Sequence, residues 1–552
     1  MGAPDDMRRH VSTGIAGAAG LIAVTTLLAR IAGFGRVIVF ADAVRAGGVG
    51  AIYQSVNALP NVVFEVAAGG ILAAVAVPLI ARSLGAGDRE RADALASVLL
   101  TWCLLVLVPL AVLVLLLAGP ISAFFVPGSD PVAGEVAARM LRVFAVQIPL
   151  YGVGIVLTGV LHAHRRFLAA ALAPLLSSVV VLASYLWYGH LAQGRTLPGE
   201  VPDTALTVLA WGTTAGVAVL SLPLAVPAWR TGWRWRPTLA MHPGDRRRIA
   251  ALAGGGLLAL LAQQVAVVVT VWVAGHRGGD GVFPVYQYLQ TVYLLPYAVL
   301  AVPVAMSAFP ALAHGHGAGE DNADVVARSL RWVILLTGLA VGVLFAAAPA
   351  VGAFFTLSDA RRGTAGASPA ALAALPGGLI AYAPGLIGLS VAALLTRALY
   401  VRGHPTTAGA AVALGWVLAA VVPLLATSAA DGPGPALRTL GLASSAGMTV
   451  SAVALVLLVR RHWGSAALQG SGRTLATVVV AVAAGAAVGD TLTHNWPRDT
   501  WPTVITAGLV SAMSALVAGL LVVLIGDRAT LLSVRTRARR APGNEYGAGG
   551  GR

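Results

Sequence analysis

The sequence predicts an all-α polytopic membrane protein of about 14 transmembrane helices. Twelve of them form two six-helix lobes in a parallel pseudo-two-fold repeat, and two more follow at the C-terminus. Three observations lead there: a composition no soluble core accommodates, a regular series of long apolar runs, and an arginine distribution that alternates from loop to loop. The chain has 552 residues, of which 58% are hydrophobic and 11% charged, whereas soluble domains carry about a quarter charged residues. A soluble protein of this size could not hide that much apolar surface.

A spanning helix needs about 20 mostly apolar residues. By that rule the spans fall near 13–40, 50–80, 94–126, 136–161, 168–189 and 205–228, then 249–274, 281–312, 329–355, 371–400, 407–427 and 438–459, and finally 474–493 and 502–525. The corresponding domains are an N-lobe at 13–228, a C-lobe at 249–459, a helix pair at 474–526 and a basic, Gly-rich tail at 527–552. Several spans contain proline (Pro60, Pro149, Pro296, Pro303, Pro384), which membrane helices tolerate when neighbours re-satisfy the backbone.

The loops test this division independently. All 37 basic residues are Arg. Connections on the N-terminal side of the membrane hold 26 of them, from Arg8 and Arg9 through Arg165 and Arg166 to six in the tail; the opposite side holds 9, among them Arg45, Arg195 and Arg277. The positive-inside rule then places both termini in the cytoplasm of a multi-pass plasma-membrane protein. The same distribution argues against nucleic acid as a partner, because the positive charge is dispersed over short loops. The tail reads as a disordered end attracted to anionic membrane lipids. Trp233, Arg234 and Trp235 read as an interfacial anchor. The single cysteine, Cys103, lies in an apolar run, which excludes a disulfide framework and a Cys-based metal site. The first apolar stretch is too long for a signal peptide and reads as the first span.

An internal repeat organises the spans. Pro78-Leu-Ile-Ala-Arg-Ser-Leu-Gly-Ala-Gly-Asp88 resembles Pro310-Ala-Leu-Ala-His-Gly-His-Gly-Ala-Gly-Glu320 at an offset of 232, and each precedes an apolar span that ends in Ala-Phe-Phe, at Phe125 and Phe355. Pro149 with Arg166 echoes Pro384 with Arg402 at an offset of 235–236. Six spans separate the copies, so both enter the membrane in the same sense, and a substrate site is expected between them.

Polar residues at membrane depth usually face a wet cavity or a partner. Arg30 and Arg36 lie in the first span, with Gly33 and Gly35 between them inviting a bend and close backbone approach. The pair reads either as a cationic wall for an anionic head group or as one internal ion pair with Arg36 snorkelling to the interface. Glu65, the one acid well inside a span, pairs with one of those arginines, carries a coupling proton, or sits in a wet crevice. Gln263, Gln264, Gln287 and Gln290 line the cavity or join helices. Asn57 and Asn61 flank Pro60 and satisfy backbone groups it frees. His162, His164, Arg165 and Arg166 form a basic cluster without the acids or cysteines a metal would need. No Walker, HExxH or GxSxG motif is placed for chemistry. The chain therefore reads as no enzyme, with no cofactor and no metal, and driven by a gradient or by the membrane potential.

Leu28-Ala-Arg-Ile-Ala-Gly-Phe-Gly-Arg36 resembles the SRxxGFxR signature of the MurJ/MviN lipid II flippase family. Leu59-Pro-Asn61 through Ala76-Val-Pro78 is similar to that family's second span, and Leu161-His-Ala-His-Arg-Arg-Phe167 with Ala171-Leu-Ala-Pro174 to its junction of fourth and fifth helices. Leu295-Pro-Tyr-Ala-Val-Leu-Ala-Val-Pro303 through Phe309-Pro310 resembles its eighth helix. The resemblance covers roughly residues 13–460. It implies the MOP exporter fold, export of an undecaprenyl-linked peptidoglycan precursor such as lipid II by alternating access, and a cationic cavity in which Arg30 and Arg36 match the two first-helix arginines. It also implies a groove from the last two helices for the lipid tail. The implied partners are a lipid-linked anionic substrate, membrane lipids and cell-wall synthesis proteins, with the chain itself a monomer. The sequence departs from the family at Phe64, Glu65 and Gly69, at Gln290 and Thr291 in place of an Asp-Arg pair, and near Gly50 and Ala51, where an acid is expected ahead of the second helix. The alternatives are a MOP-fold exporter of another polyprenyl-linked saccharide or a drug, and a non-transporting paralogue with a role in cell-wall regulation.

Overall fold

The computed structural model describes residues 24–25, 28–66, 73–126, 130–240, 243–317, 322–360, 369–428 and 431–532. The start of the first predicted span, the end of the second offset-232 echo and most of the C-terminal tail lie outside the described residues. Among the described residues every regular element is a helix. In order they are α1 (28–43), α2 (Val49–Glu65), α3 (Ala73–Gly85), α4 (Arg89–Leu116), α5 (Ala118–Phe125), α6 (Pro131–Ala145), α7 (Gln147–Ala163), α8 (Phe167–Ala192), α9 (Asp203–Ser221) and α10 (Ala225–Trp229). There follow α11 (Pro243–Val273), α12 (Val282–Pro296), α13 (Val302–Gly317), α14 (Ala323–Ala360), α15 (Pro369–Tyr382), α16 (Gly385–Val401), α17 (Pro405–Ala426), α18 (Pro433–Trp463), α19 (Ser471–Thr493), α20 (Trp501–Gly526) and the short α21 (Arg528–Leu532).

Eleven described helices are long and apolar enough to cross a membrane, and α15 with α16, bent by 47°, makes a twelfth. The described parts of α1 and of the α2–α3 pair supply the two remaining predicted positions, which is compatible with a total of 14. The chain is a multi-pass membrane protein. Its helix ends follow local chemistry. Asp88 and Asp130 accept hydrogen bonds from the amides of Arg91 and Val132 at the starts of α4 and α6, and Thr500 forms a capping box with Thr503 at the start of α20, satisfying donors a helix otherwise leaves orphaned. Two spans break at repeat-related prolines: α6 gives way to α7 just before Pro149, and α15 to α16 at Pro384.

The contacts group into two compact units. The first takes Met1–Val292 together with Gly352–Gly378 and Trp416–Ala443. Small residues let its helices approach closely, as membrane packing without a hydrophobic drive requires. A Cβ on Gly212 would lie 2.2 Å from that of Ser184, and one on Gly152 would lie 2.3 Å from the Cys103 sulfur. Trp233 belongs to this unit and corrects the anchor reading. It is 1% exposed and its indole donates to the Asp93 carbonyl at 3.3 Å. The extended stretch around it folds back along α4, with the amides of Arg236 and Thr238 reaching Ser97 and Thr101.

The second unit takes Tyr293–Val351, Leu379–Gly415 and Ser444–Arg552. Its core joins α13, α14, α16, α17 and α18 through side chains such as Leu330, Leu395, Leu399 and Leu455. The α19–α20 hairpin packs backbone to backbone: a Cβ on Gly485 would lie 2.8 Å from the Ala515 carbonyl and one on Gly489 2.9 Å from that of Ser511. At its base Asp527 is 3% exposed and accepts from the hydroxyls of Thr474 and Thr530.

Candidate functional site

All the site residues expected from the sequence fall in the first unit. Helix α1 carries Arg30 on an exposed turn and Arg36 half-buried, six residues on. The helix runs unbroken through Gly33 and Gly35, and a Cβ at either would meet nothing within 4 Å. The expected bend and close approach are therefore absent; the glycines keep the space beside the arginines open. Among the described residues no carboxylate pairs with either guanidinium, so the expected ion pair with Glu65 does not form. Glu65 is exposed at the end of α2.

Near Arg36 stands a network of tyrosine hydroxyls, asparagine amides and rings. Its charge acts on the hydroxyls of Tyr151, Tyr53 and Tyr185. Tyr151 donates to Asn61 Oδ1 at 3.1 Å, Asn61 Nδ2 donates to the Asn57 carbonyl at 2.9 Å, and the Phe64 ring lies 4.5 Å from that of Tyr151. Asn61 thus bonds the carbonyl of Asn57 and not that of Val56, the one that loses a helical partner to Pro60. Tyr53 exchanges hydrogen bonds with Tyr185 at 2.8 Å and Thr213 at 2.9 Å. An arginine whose charge reaches several tyrosine hydroxyls, with no carboxylate paired to it among the described residues, is suited to a phosphate flanked by sugar or amide groups.

The four glutamines are placed less decisively. Gln263 is half-buried and Gln264 buried on α11. Gln287 and Gln290 are half-buried on one face of α12. Among the described residues no hydrogen bond joins any of these amides to the Arg36 cluster. The link between α1 and α12 is aromatic instead: Phe40, one turn beyond Arg36, lies 6.4 Å from Tyr288.

That contact belongs to a roof of buried rings. Phe40 also meets Tyr53 at 5.6 Å and Tyr185 at 5.4 Å, Tyr53 meets Phe144 at 5.6 Å, and Tyr288 stacks on Phe355 at 4.6 Å. All six are at most 4% exposed. Beyond the roof, the loop between α1 and α2 is clasped by its amides. Gly48 N donates to both Asp280 oxygens at 3.0 Å, Ala46 N to Asp359 Oδ1 at 3.3 Å, and Val49 N to the Thr196 carbonyl at 2.8 Å. Gly48 has φ +56°, and a Cβ there would lie 2.1 Å from the Thr196 oxygen, so no other residue fits without strain. A crevice of about 400 Å³, lined by Gly48, Ser55, Asp130, Asp280 and Phe283 among others, opens next to the clasp. Asp280 as a whole is exposed, but partial desolvation of its carboxyl holds it above its usual range, against the amides of Gly48 and Gly281.

The family model for the lipid II flippase MurJ matches residues 40–507. The chain belongs to the MurJ family. A probable lipid II flippase MurJ from Rhizobium tropici is 25% identical over 351 residues, 60% of each chain. Another from Synechocystis is 30% identical over 223 residues, 40% of this chain and 41% of the relative. The alignments thus span about 60% or less of the length of these curated relatives. Among solved structures, a lipid II flippase MurJ in an inward closed conformation superposes with a TM-score of 0.72 at 17% identity, over 93% of this chain and 99% of that one. An inward-facing multidrug-resistance MATE transporter of the MOP superfamily follows at 0.62 and 16% identity, over 81% and 98%. These structural likenesses establish the fold.

Sequence reading missed the tyrosines and the clasp. The tyrosines are spread over α2, α7 and α8 and sit in apolar runs that give no sign of convergence. The clasp was more accessible. Gly48 and Asp280 differ by 232, the offset of the repeat, so the acid expected near Gly50 and Ala51 in the first copy stands at the matching place of the second.

Proposed function

We propose that the chain flips an undecaprenyl-linked peptidoglycan precursor of the lipid II type across the plasma membrane by alternating access. The observation that carries this reading is an Arg36 with no carboxylate paired to it among the described residues, below an aromatic roof and near the Tyr151 hydroxyl and the Asn61 amide. A diphosphate would meet Arg36, and the hydroxyl and amide groups would meet the attached saccharide. Residues 13–228 and 249–459 are the two lobes whose rocking exposes the site to either side. Both termini face the cytoplasm, so the Gly48–Asp280 clasp faces out and must break for release. Residues 474–526 serve the lipid tail, the tail from 527 meets membrane lipids, and the unit at work is a monomer that meets cell-wall synthesis proteins. Binding energy and the membrane field supply the work, with no bond made or broken by the protein. Arg30, Glu65, Gln263, Gln264, Gln287 and Gln290 complete the cavity wall.

Reconstitution in liposomes with fluorescent lipid II tests the reading. Wild type is expected to flip it and Arg36→Gln to lose most of the rate. A folded wild type that leaves lipid II on one leaflet refutes it. Glu65, with no ion pair among the described residues, favours one second reading, a cation-coupled MOP-fold exporter of another polyprenyl-linked saccharide or of a drug. Under that reading Glu65→Gln abolishes transport of such a cargo.

A further inference from the structure

Arg397 falls near the end of the predicted span 371–400 and is counted among the arginines of the cytoplasmic side. In the second unit it lies inside α16, four residues before the helix ends at Val401. An arginine so near a helix end normally runs its stem toward that end and the water beyond. Arg397 turns the other way. One terminal nitrogen donates to the Ala393 carbonyl one turn back, at 2.5 Å, and the other lies 3.9 Å from the Met306 sulfur on α13. Its charge acts on the hydroxyls of Tyr297 and Tyr400. Tyr297 opens a π-helical turn, Tyr297–Ala301, a wide turn of the kind that recurs at functional sites.

Among the described residues no carboxylate pairs with Arg397. A carbonyl and a thioether occupy two of its five N–H donors. The rest of the fork is left among partly exposed surroundings, with Met306 58% and Tyr400 40% exposed. A guanidinium held within a spanning segment without a counter-ion is costly, and the ligand that best removes the cost is a planar or tetrahedral anion that takes two N–H bonds at once. Water-soluble anions have no reason to enter a membrane-embedded surface; a phosphate carried on a lipid does.

We propose that Arg397, held between the Ala393 carbonyl and the Met306 sulfur, is a subsite for the phosphate of a lipid head group, additional to the Arg36 cluster. Two sources share that chemistry: the diphosphate of a polyprenyl cargo, whose choice as a probe rests on the flippase reading, and the phosphodiester of a resident anionic phospholipid.

The test is native mass spectrometry of the full-length protein titrated separately with undecaprenyl diphosphate and with phosphatidylglycerol. Wild type is compared with R397Q and R397K. R397Q is expected to weaken binding by about tenfold, and R397K, which keeps the charge but not the fork, by several-fold. Loss confined to undecaprenyl diphosphate assigns the subsite to the cargo; loss confined to phosphatidylglycerol assigns it to a resident lipid. If R397K folds and binds both lipids as wild type does, the proposal is overturned, whether or not R397Q folds. The flipping assay is read separately. A protein that flips no lipid II yet loses lipid phosphate in R397Q keeps the subsite and loses the flippase reading.

Discussion

Replacing Asp280 by Ala removes the acceptor that holds Gly48 N with both oxygens at 3.0 Å. A hydrogen bond to a charged group contributes about 1.5–3 kcal/mol. The Asp280 carboxylate also borders the crevice of about 400 Å³, so water replaces part of what is lost and the lower figure applies. About 1.5 kcal/mol lowers the ratio of closed to open clasp roughly tenfold. Asp280→Asn keeps one acceptor oxygen and should change the ratio by less than about threefold. Ser55 reports the change: it lines the same crevice and is 5% exposed. In a Cys103→Ala background, the Ser55→Cys thiol is labelled by a membrane-impermeant maleimide at a rate proportional to the open fraction. Equal labelling with and without Asp280→Ala, in proteins of intact fold, refutes the clasp. The pH dependence has a definite sign. Partial desolvation raises the Asp280 carboxyl above its ordinary value, so the closed form holds the proton more tightly. Its stability therefore grows as pH falls toward the raised value and declines as pH climbs through it. Labelling should slow on acidification relative to the Asp280→Asn protein, which lacks the titrating group.

Gly48→Ala places a Cβ 2.1 Å from the Thr196 oxygen at φ +56°; a cost of about 1–3 kcal/mol is expected, seen as faster labelling at position 55. Asp527→Ala should lower stability by about 2–3 kcal/mol, read as a drop in the thermal unfolding temperature. Burial alone would raise the Asp527 carboxyl, but the hydrogen bonds from Thr474 and Thr530 and the charge of Arg331 outweigh it and leave it depressed. Its contribution is therefore present at neutral pH and is lost as pH falls through the depressed value. Gly485→Leu, aimed at a carbonyl 2.8 Å from the Cβ position, should separate α19 from α20 and destabilise the protein in the same assay, whereas Leu509→Ala, on a 60% exposed position, should leave it nearly unchanged.

The spans were legible because membrane burial demands long apolar runs, and every one of the predicted spans falls mainly on helix where it is described. The Arg36 position was legible for the opposite reason: a charge inside such a run is expensive and stands out. Tyr53, Tyr151 and Tyr185 were not, since a tyrosine in an apolar helix looks the same whether its hydroxyl meets a neighbour three helices away or the membrane interface. Gly33 and Gly35 were misread because glycine announces permission for close approach and not its use. Trp233 was misread because a Trp-Arg-Trp string next to a helix end carries the composition of an interface whether the chain lies flat or folds inward. Arg397 was assigned by counting, which registers on which side of a helix a charge is encoded but not which way its stem turns.

The hairpin of α19 and α20 is joined where two main chains touch, so its outward side chains have little part in holding it together. Val479, Val480, Leu509, Met513, Val517 and Leu521 point outward, and their shapes are free to drift while the glycines beneath stay fixed. Such a pair can be re-surfaced for bilayers of different thickness or stiffness without rebuilding the rest of the machine.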